Sequence, residues 1–251
     1  MNEKLLVTGM SGLVGAALRQ AIEQDYQLSA LNRREVAGVP TTQADLADYD
    51  ASAPAFRDQE QVVHLGAVIH DGVGWDALHN TNVVGTRNVF EAAVQAGVRR
   101  VVFTSSGATV AGWEKTEPYR SLVAGDIKAL PAGVPLITEE LATRPANLYA
   151  STKVWGEAIG RHYAENHGLE VVCLRIGLAN AADKPENARQ MSVWNSQRDV
   201  VQAIRLALEH SMDTRFGCYF ITSNNARGYR NLALAKQALG YVPEDSADDW
   251  R

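Results

Sequence analysis

Apolar residues along this chain gather into short runs that alternate with stripes at helical spacing. The runs lie at Lys4–Thr8, Tyr26–Leu31, Gln61–Ala67, Arg100–Thr104, Leu169–Gly177 and Cys218–Thr222, each of strand length. Runs of this kind suit strands buried on both faces. Between them, Leu13, Val14, Ala17, Leu18, Ala21 and Ile22 recur at helical spacing, as do Leu78, Val83, Val84, Val89, Phe90, Ala93 and Val94 in a segment from Trp75 to Ala96 that stops at Gly97. Further helices are predicted from Leu148 to Gly168 with Val154, Trp155, Ala158 and Ile159 as the apolar stripe, from Arg198 to His210, and from Asn231 to Leu239 before Gly240. The alternation predicts an α/β chain with an open parallel sheet.

Three stretches lack such periodicity. Trp113 to Ala146 is rich in Pro, Gly and charge, with room for a short helix at Ser121–Leu130, and a loop this long in a compact chain is usually a lid or substrate wall. Leu178 to Asn195 is irregular and polar, and the acidic tail Glu244–Asp249 is read as solvated. Neither an internal repeat nor a linker divides the 251 residues, so one domain is expected.

Composition narrows the partners. At 46% hydrophobic and 21% charged residues, with a formal charge of −5 spread along the chain, the protein lacks the basic surface of a nucleic-acid binder. The N-terminus has no secretory pattern and no apolar run approaches the length of a membrane span, so a cytoplasmic protein is expected, with no partner class favoured by charge. Cys173 and Cys218 each sit in an apolar run and are read as core residues. His64 is read as a core or cleft residue and His70 and His79 as exposed; with no partner at ligand spacing, no metal site is predicted.

Candidate chemistry follows from placement. Gly9, Gly12 and Gly15 join the first strand to the first helix, the context in which small residues let backbone approach a pyrophosphate at a helix N-terminus; the alternative is a turn that only closes a strand–helix corner. At the end of the second strand, where a dinucleotide fold presents an acid to the adenine ribose, the chain has Asn32-Arg33-Arg34. Two guanidiniums with no carboxylate favour NADP over NAD, unless both arginines are merely solvated. Ser105 and Ser106 close the fourth strand, at the sheet edge that carries sites. Tyr149 and Lys153, four apart on a helix, share one face, and a neighbouring ammonium favours the phenolate.

In this order, Gly9-x-x-Gly12-x-x-Gly15, Asp45-Leu46, Ser105-Ser106 and Tyr149-x-x-x-Lys153 resemble the extended short-chain dehydrogenase/reductase family, also called the NAD-dependent epimerase/dehydratase family, over nearly the whole chain. The resemblance implies a Rossmann-type doubly wound parallel sheet with a small C-terminal substrate-binding part, and a nicotinamide cofactor. It implies Tyr149 as acid/base, Lys153 on the nicotinamide ribose, Ser106 on the reacting oxygen, and Leu13, Asp45, Leu46, Leu65, Gly66, Ala67, Asn82, Thr104 and Ile176 around the cofactor. Relatives often pair the Tyr-Lys helix in a homodimer. Arg175-Ile-Gly177, Arg189 through Trp194 and Gly240-Tyr-Val-Pro are most similar to the uronate dehydrogenases of that family, which implies that Arg189 binds a substrate carboxylate beside Ser106, Gly107 and Ser192, and that segments 107–147, 177–197 and 222–251 build the substrate site.

Departures are equally specific. Uronate dehydrogenases carry Asn where this chain has Gly107 and Ser where it has Leu178; the segment between Ser106 and Tyr149 is longer here, and Asn32 replaces the ribose-binding acid. The reading is an NAD(P)-dependent oxidoreductase acting on a hydroxyl or carbonyl of a sugar, uronic acid or other small polar compound. An epimerase or dehydratase that recycles its cofactor is the alternative, and a non-catalytic dinucleotide sensor is a third.

Overall fold

A computed structural model describes residues 2–250. Seven strands, β1 Lys4–Thr8, β2 Gln27–Asn32, β3 Thr41–Gln43, β4 Gln61–His64, β5 Arg100–Ser106, β6 Glu170–Ile176 and β7 Phe216–Ile221, form one sheet in the order β3-β2-β1-β4-β5-β6-β7. Every neighbouring pair is parallel. Between β1 and β4 the chain order reverses, and a parallel sheet opens a crevice at the carboxyl ends of such a pair. The three-residue β3 is the strand that apolar patterning missed: Thr-Thr-Gln is polar, and it forms because its backbone extends β2 at the sheet edge.

The helices are α1 Leu13–Ile22, α2 Tyr49–Ser52, α3 Trp75–Leu78, α4 Thr86–Gln95, α5 Tyr119–Ala124, α6 Leu148–His167, α7 Gln190–Val193, α8 Gln197–Glu209 and α9 Ala233–Leu239. A π-helical turn at His79–Gly85 joins α3 to α4, so the segment expected to be one helix is one with a local widening. Alternate strand residues supply two cores. Leu5, Val7, Val102, Val172 and Leu174 pack with α1, α8 and α9, whereas Leu6, Val62, Val101, Val171 and Cys173 pack with α4 and α6. Burial on both faces is why the strand runs are rich in apolar residues. Cys173 and Cys218 are free and face each other as register partners on β6 and β7.

The apolar stripe expected on α6 is not its buried face. Trp155 is 41% exposed and Ala158 is exposed, while Thr152, Lys153, Gly156, Glu157, Gly160 and Tyr163 are buried. A Cβ on Gly156 would lie 2.4 Å from the Phe103 ring, so glycine lets the helix backbone settle on β5 with its polar side chains turned to the strand ends. The acidic tail also departs from expectation. Buried Asp199 accepts hydrogen bonds from the backbone N–H of Glu244 and Asp245, Arg198 pairs with Asp245, and Ala247 is fully buried. These carboxylates are held by basic and N–H partners supplied by α8 and the β7 exit. No helix among the described residues is long and apolar enough to cross a membrane.

Candidate active site

A cleft of about 680 Å³ lies across the carboxyl ends of β1, β4, β5 and β6. Its floor is the glycine turn. Gly9 has φ +70°, and a Cβ there would come within 2.8 Å of Gly66, the first glycine after β4; at Gly15 a Cβ would meet the Met10 carbonyl oxygen at 2.5 Å. These backbones touch only because neither position has a side chain. Thr8 fixes the contact: its Oγ1 accepts the Gly66 N–H at 3.0 Å and shares a 2.7 Å hydrogen bond with His64 Nδ1, whose Nε2 meets Thr86 Oγ1 at 3.1 Å. Gly12 caps α1 without a side-chain bond, leaving the helix N-terminus to face the cleft. The cradle that a Cβ would fill, together with this N-terminus, fits the pyrophosphate of a dinucleotide.

At one end of the cleft stand Asn32, Arg33, Arg34, Asp45 and Leu46. Asn32 is buried and its amide donates to Ser11 Oγ at 2.8 Å and to the Arg34 carbonyl at 3.1 Å, which folds the strand end back on the glycine turn. Both arginines are exposed on the cleft rim. Asp45 Oδ1 accepts the Ala47 N–H, and Asn88 on α4 holds the carbonyls of Leu46 and Ala47. Leu13, Leu65, Gly66, Ala67, Thr104 and Ile176 line the middle. Asn82 stands one layer behind: its amide grips both backbone groups of Val68 and donates to Thr152 on α6, so it shapes the wall without lining the cleft.

Ser106, Tyr149 and Lys153 meet at the other end. Asn147 caps α6 by accepting the Ala150 N–H at 2.8 Å, which sets the first turn that carries Tyr149. Lys153 Nζ donates to the Thr104 carbonyl at 2.8 Å and lies 5.8 Å from the Tyr149 ring centre. Burial brings the Lys153 ammonium down to about 8, opposed by the Glu157 carboxylate. Tyr149 is pushed above the ordinary phenol range by burial, and its hydrogen bond with Ser106 pulls the other way. The expected downward shift from Lys153 is therefore not met: desolvation dominates, and the ammonium is directed at the Thr104 carbonyl.

Several residues in and behind the cleft carried no sequence signal. Glu157, one turn beyond Lys153, takes both Nε and Nη2 of Arg175 at 2.8 Å and accepts the Ser105 hydroxyl at 2.5 Å, a buried pair that ties α6 to β5 and β6. The tyrosine-lysine spacing extended by four residues would have reached Glu157. Arg189 lines the cleft, but its guanidinium is bound by Glu114 at 2.6 and 2.9 Å, and Glu114 also accepts the Tyr229 hydroxyl at 2.5 Å. Arg230 joins Leu178, Arg189 and Val193 on the same wall, whereas Gly107 and Ser192 are buried outside the lining. Glu114 lies more than a hundred residues from the adjacent pair Tyr229 and Arg230, and no periodicity links them.

The NAD dependent epimerase/dehydratase family matches residues 5–197. L-Arabinose 1-dehydrogenase (NAD(P)(+)) of Haloferax volcanii is 33% identical over 97% of this chain and 97% of its own length. NAD-dependent glucose-6-phosphate dehydrogenase of the same organism is 30% identical over 100% of this chain and 96% of its own. Among solved structures, a point mutant of uronate dehydrogenase from Agrobacterium tumefaciens complexed with NAD superposes with a TM-score of 0.84 at 26% identity, covering 100% of this chain and 88% of that one. With the parallel sheet, the glycine cradle and the Ser-Tyr-Lys cluster in place, the chain belongs to the NAD dependent epimerase/dehydratase family, the extended short-chain dehydrogenases/reductases, and within it stands among the uronate dehydrogenase-like oxidoreductases.

Proposed function

We propose that this protein is an NAD(P)-dependent dehydrogenase that interconverts a hydroxyl and a carbonyl on a sugar or sugar acid. The observation that carries this reading is the meeting of Ser106, Tyr149 and Lys153 at one end of a cleft whose other parts are the glycine cradle and the Asn32–Arg34 rim. Gly9, Gly12, Gly15, Leu46, Leu65 and Ile176 would hold the dinucleotide. When bound, the nicotinamide supplies the two-electron exchange with the substrate carbon.

The chain's own residues manage the proton. Ser106 and Tyr149 are hydrogen-bonded to each other, so a substrate oxygen between them meets two O–H groups. Tyr149 is a phenol at neutral pH, the form that gives its proton to a carbonyl oxygen. Removing a proton from a hydroxyl needs the phenolate, which burial disfavours here, so the Lys153 ammonium, 5.8 Å from the Tyr149 ring centre, would have to outweigh desolvation in that direction of the reaction. Substrate selectivity comes from the wall formed by segments 107–147, 177–197 and 222–251, in which Arg189 is braced by Glu114.

For the cofactor we propose a preference for NADP. It is supported by the two exposed guanidiniums of Arg33 and Arg34 at the end of β2, with an amide instead of a carboxylate at Asn32.

Absorbance of the reduced cofactor, followed with sugars and sugar acids in the presence of NAD or NADP, tests both statements. The dehydrogenase reading expects stoichiometric reduced cofactor, and Tyr149→Phe is expected to lose turnover by at least about a hundredfold while still binding cofactor. Epimerised product without net cofactor reduction would refute it.

A further inference from the structure

A second arginine stands at the reacting end of the cleft, and no carboxylate of the described residues meets it. Arg230 is 6% exposed, and its Nε and Nη1 have no hydrogen-bond partner. Only Nη2 is engaged, with the Gly107 carbonyl at 3.0 Å and the Tyr229 hydroxyl at 3.4 Å. The backbone around it is fixed, since the Ile137 N–H donates to the Tyr229 carbonyl and the Asn231 N–H to the Ile137 carbonyl. A buried guanidinium with unused donors is costly unless something else brings the counter-charge.

The nearby carboxylate cannot supply it. Both oxygens of Glu114 are bound by Arg189, and Tyr229 adds a further hydrogen bond to one of them. Arg189 is thereby neutralised and Arg230 is left as the uncompensated cation of this wall. Its position also explains the residue after Ser106. A Cβ on Gly107 would lie 2.3 Å from Arg230 Cζ and Nη1 and 2.5 Å from Nη2, so any side chain there would expel the guanidinium. Gly107 places Arg230 next to the Ser106–Tyr149 pair, and Arg230 shares the cleft lining with both.

We propose that Arg230 is the anion anchor of the substrate pocket, taking the carboxylate or phosphate of an acidic sugar with its unpartnered N–H donors. The proposal rests on the dehydrogenase reading for the reaction and adds the charge of the substrate and the residue that selects it. Arg189, braced by Glu114, is then a positioning residue of the wall.

The test compares D-glucuronate, glucose 6-phosphate and uncharged glucose, each titrated calorimetrically into the wild-type protein saturated with oxidised cofactor, with cofactor reduction followed separately. One of the two acidic sugars is expected to bind at least about tenfold more tightly than glucose, and which one it is assigns carboxylate or phosphate. Arg230→Met is expected to weaken that sugar by about a hundredfold, leave glucose within about threefold, and keep or raise the melting temperature, because it removes a buried charge that the protein does not pair. Arg230→Lys keeps the charge without the fork and is expected to retain the acidic preference at roughly tenfold weaker affinity. Equal binding of acidic and neutral sugars by wild type, an equal loss of both in Arg230→Met, or loss of the preference in Arg189→Met alone would each overturn the proposal. Acidic-sugar binding that depends on Arg230 without any cofactor reduction would support the anchor and refute the dehydrogenase reading.

Discussion

Acid should loosen this protein through one buried imidazole. His64 is 1% exposed at the end of β4, stacked at 5.6 Å on Phe103 and bonded to Thr8 and Thr86. Burial, with a smaller push from the Lys153 ammonium, holds it down to about 3, from its ordinary value of 6.5. The unfolded chain therefore takes up a proton that the folded one refuses, and stability falls as pH drops below 6.5. Linkage puts the loss at roughly 2 kcal/mol at pH 5 and about 5 kcal/mol once both states have titrated below pH 3. Two kcal/mol corresponds to about 4–8 °C in melting temperature for a chain of this size.

Because folded His64 stays neutral over this range, Thr8 keeps Gly66 against the glycine turn, and cofactor affinity of the folded protein should not follow the stability loss. His64→Gln keeps hydrogen-bonding groups toward both threonines and removes the titration. Between about pH 7.5 and 4.5 the melting temperature of the wild type should fall by more than that of the variant, because only the wild type carries the His64 loss. Parallel curves would show that His64 is not the group responsible.

Three further outcomes are expected. Gly15→Ala forces a Cβ into the Met10 carbonyl and should weaken dinucleotide binding by more than about tenfold, read by calorimetry with NAD and NADP. Arg33→Ser with Arg34→Ser should lower kcat/KM for NADP by roughly 10–100-fold and leave NAD nearly unchanged; equal loss with both cofactors would remove the 2′-phosphate role. Glu157→Gln leaves Arg175 buried without its carboxylate and should cost about 3–5 kcal/mol in urea denaturation, whereas a loss below about 1 kcal/mol would show that the pair is not structural.

Local pattern reached far in this chain. Short apolar-rich runs marked six of the strands, because a sheet covered on both faces buries most strand positions, and glycine spacing with strand-to-helix order marked the glycine turn under the cleft. Ser106, Tyr149 and Lys153 were legible because each sits at a position, a strand end or a helix face, that sequence order defines. What escaped was whatever depended on contact between distant segments. The buried face of α6 is small and polar, since it must approach β5 closely and present Lys153 and Glu157 to the strand ends. Polar β3 forms by backbone pairing alone.

The identity of the substrate wall is the clearest division. Sequence determines that Arg189, Gly107 and Arg230 exist, and a resemblance alone singled out Arg189 as the anion grip. Only the tertiary structure brings Glu114 to Arg189 and Arg230 to Gly107, because the charge a guanidinium offers a ligand depends on which carboxylates and which free space the fold places beside it.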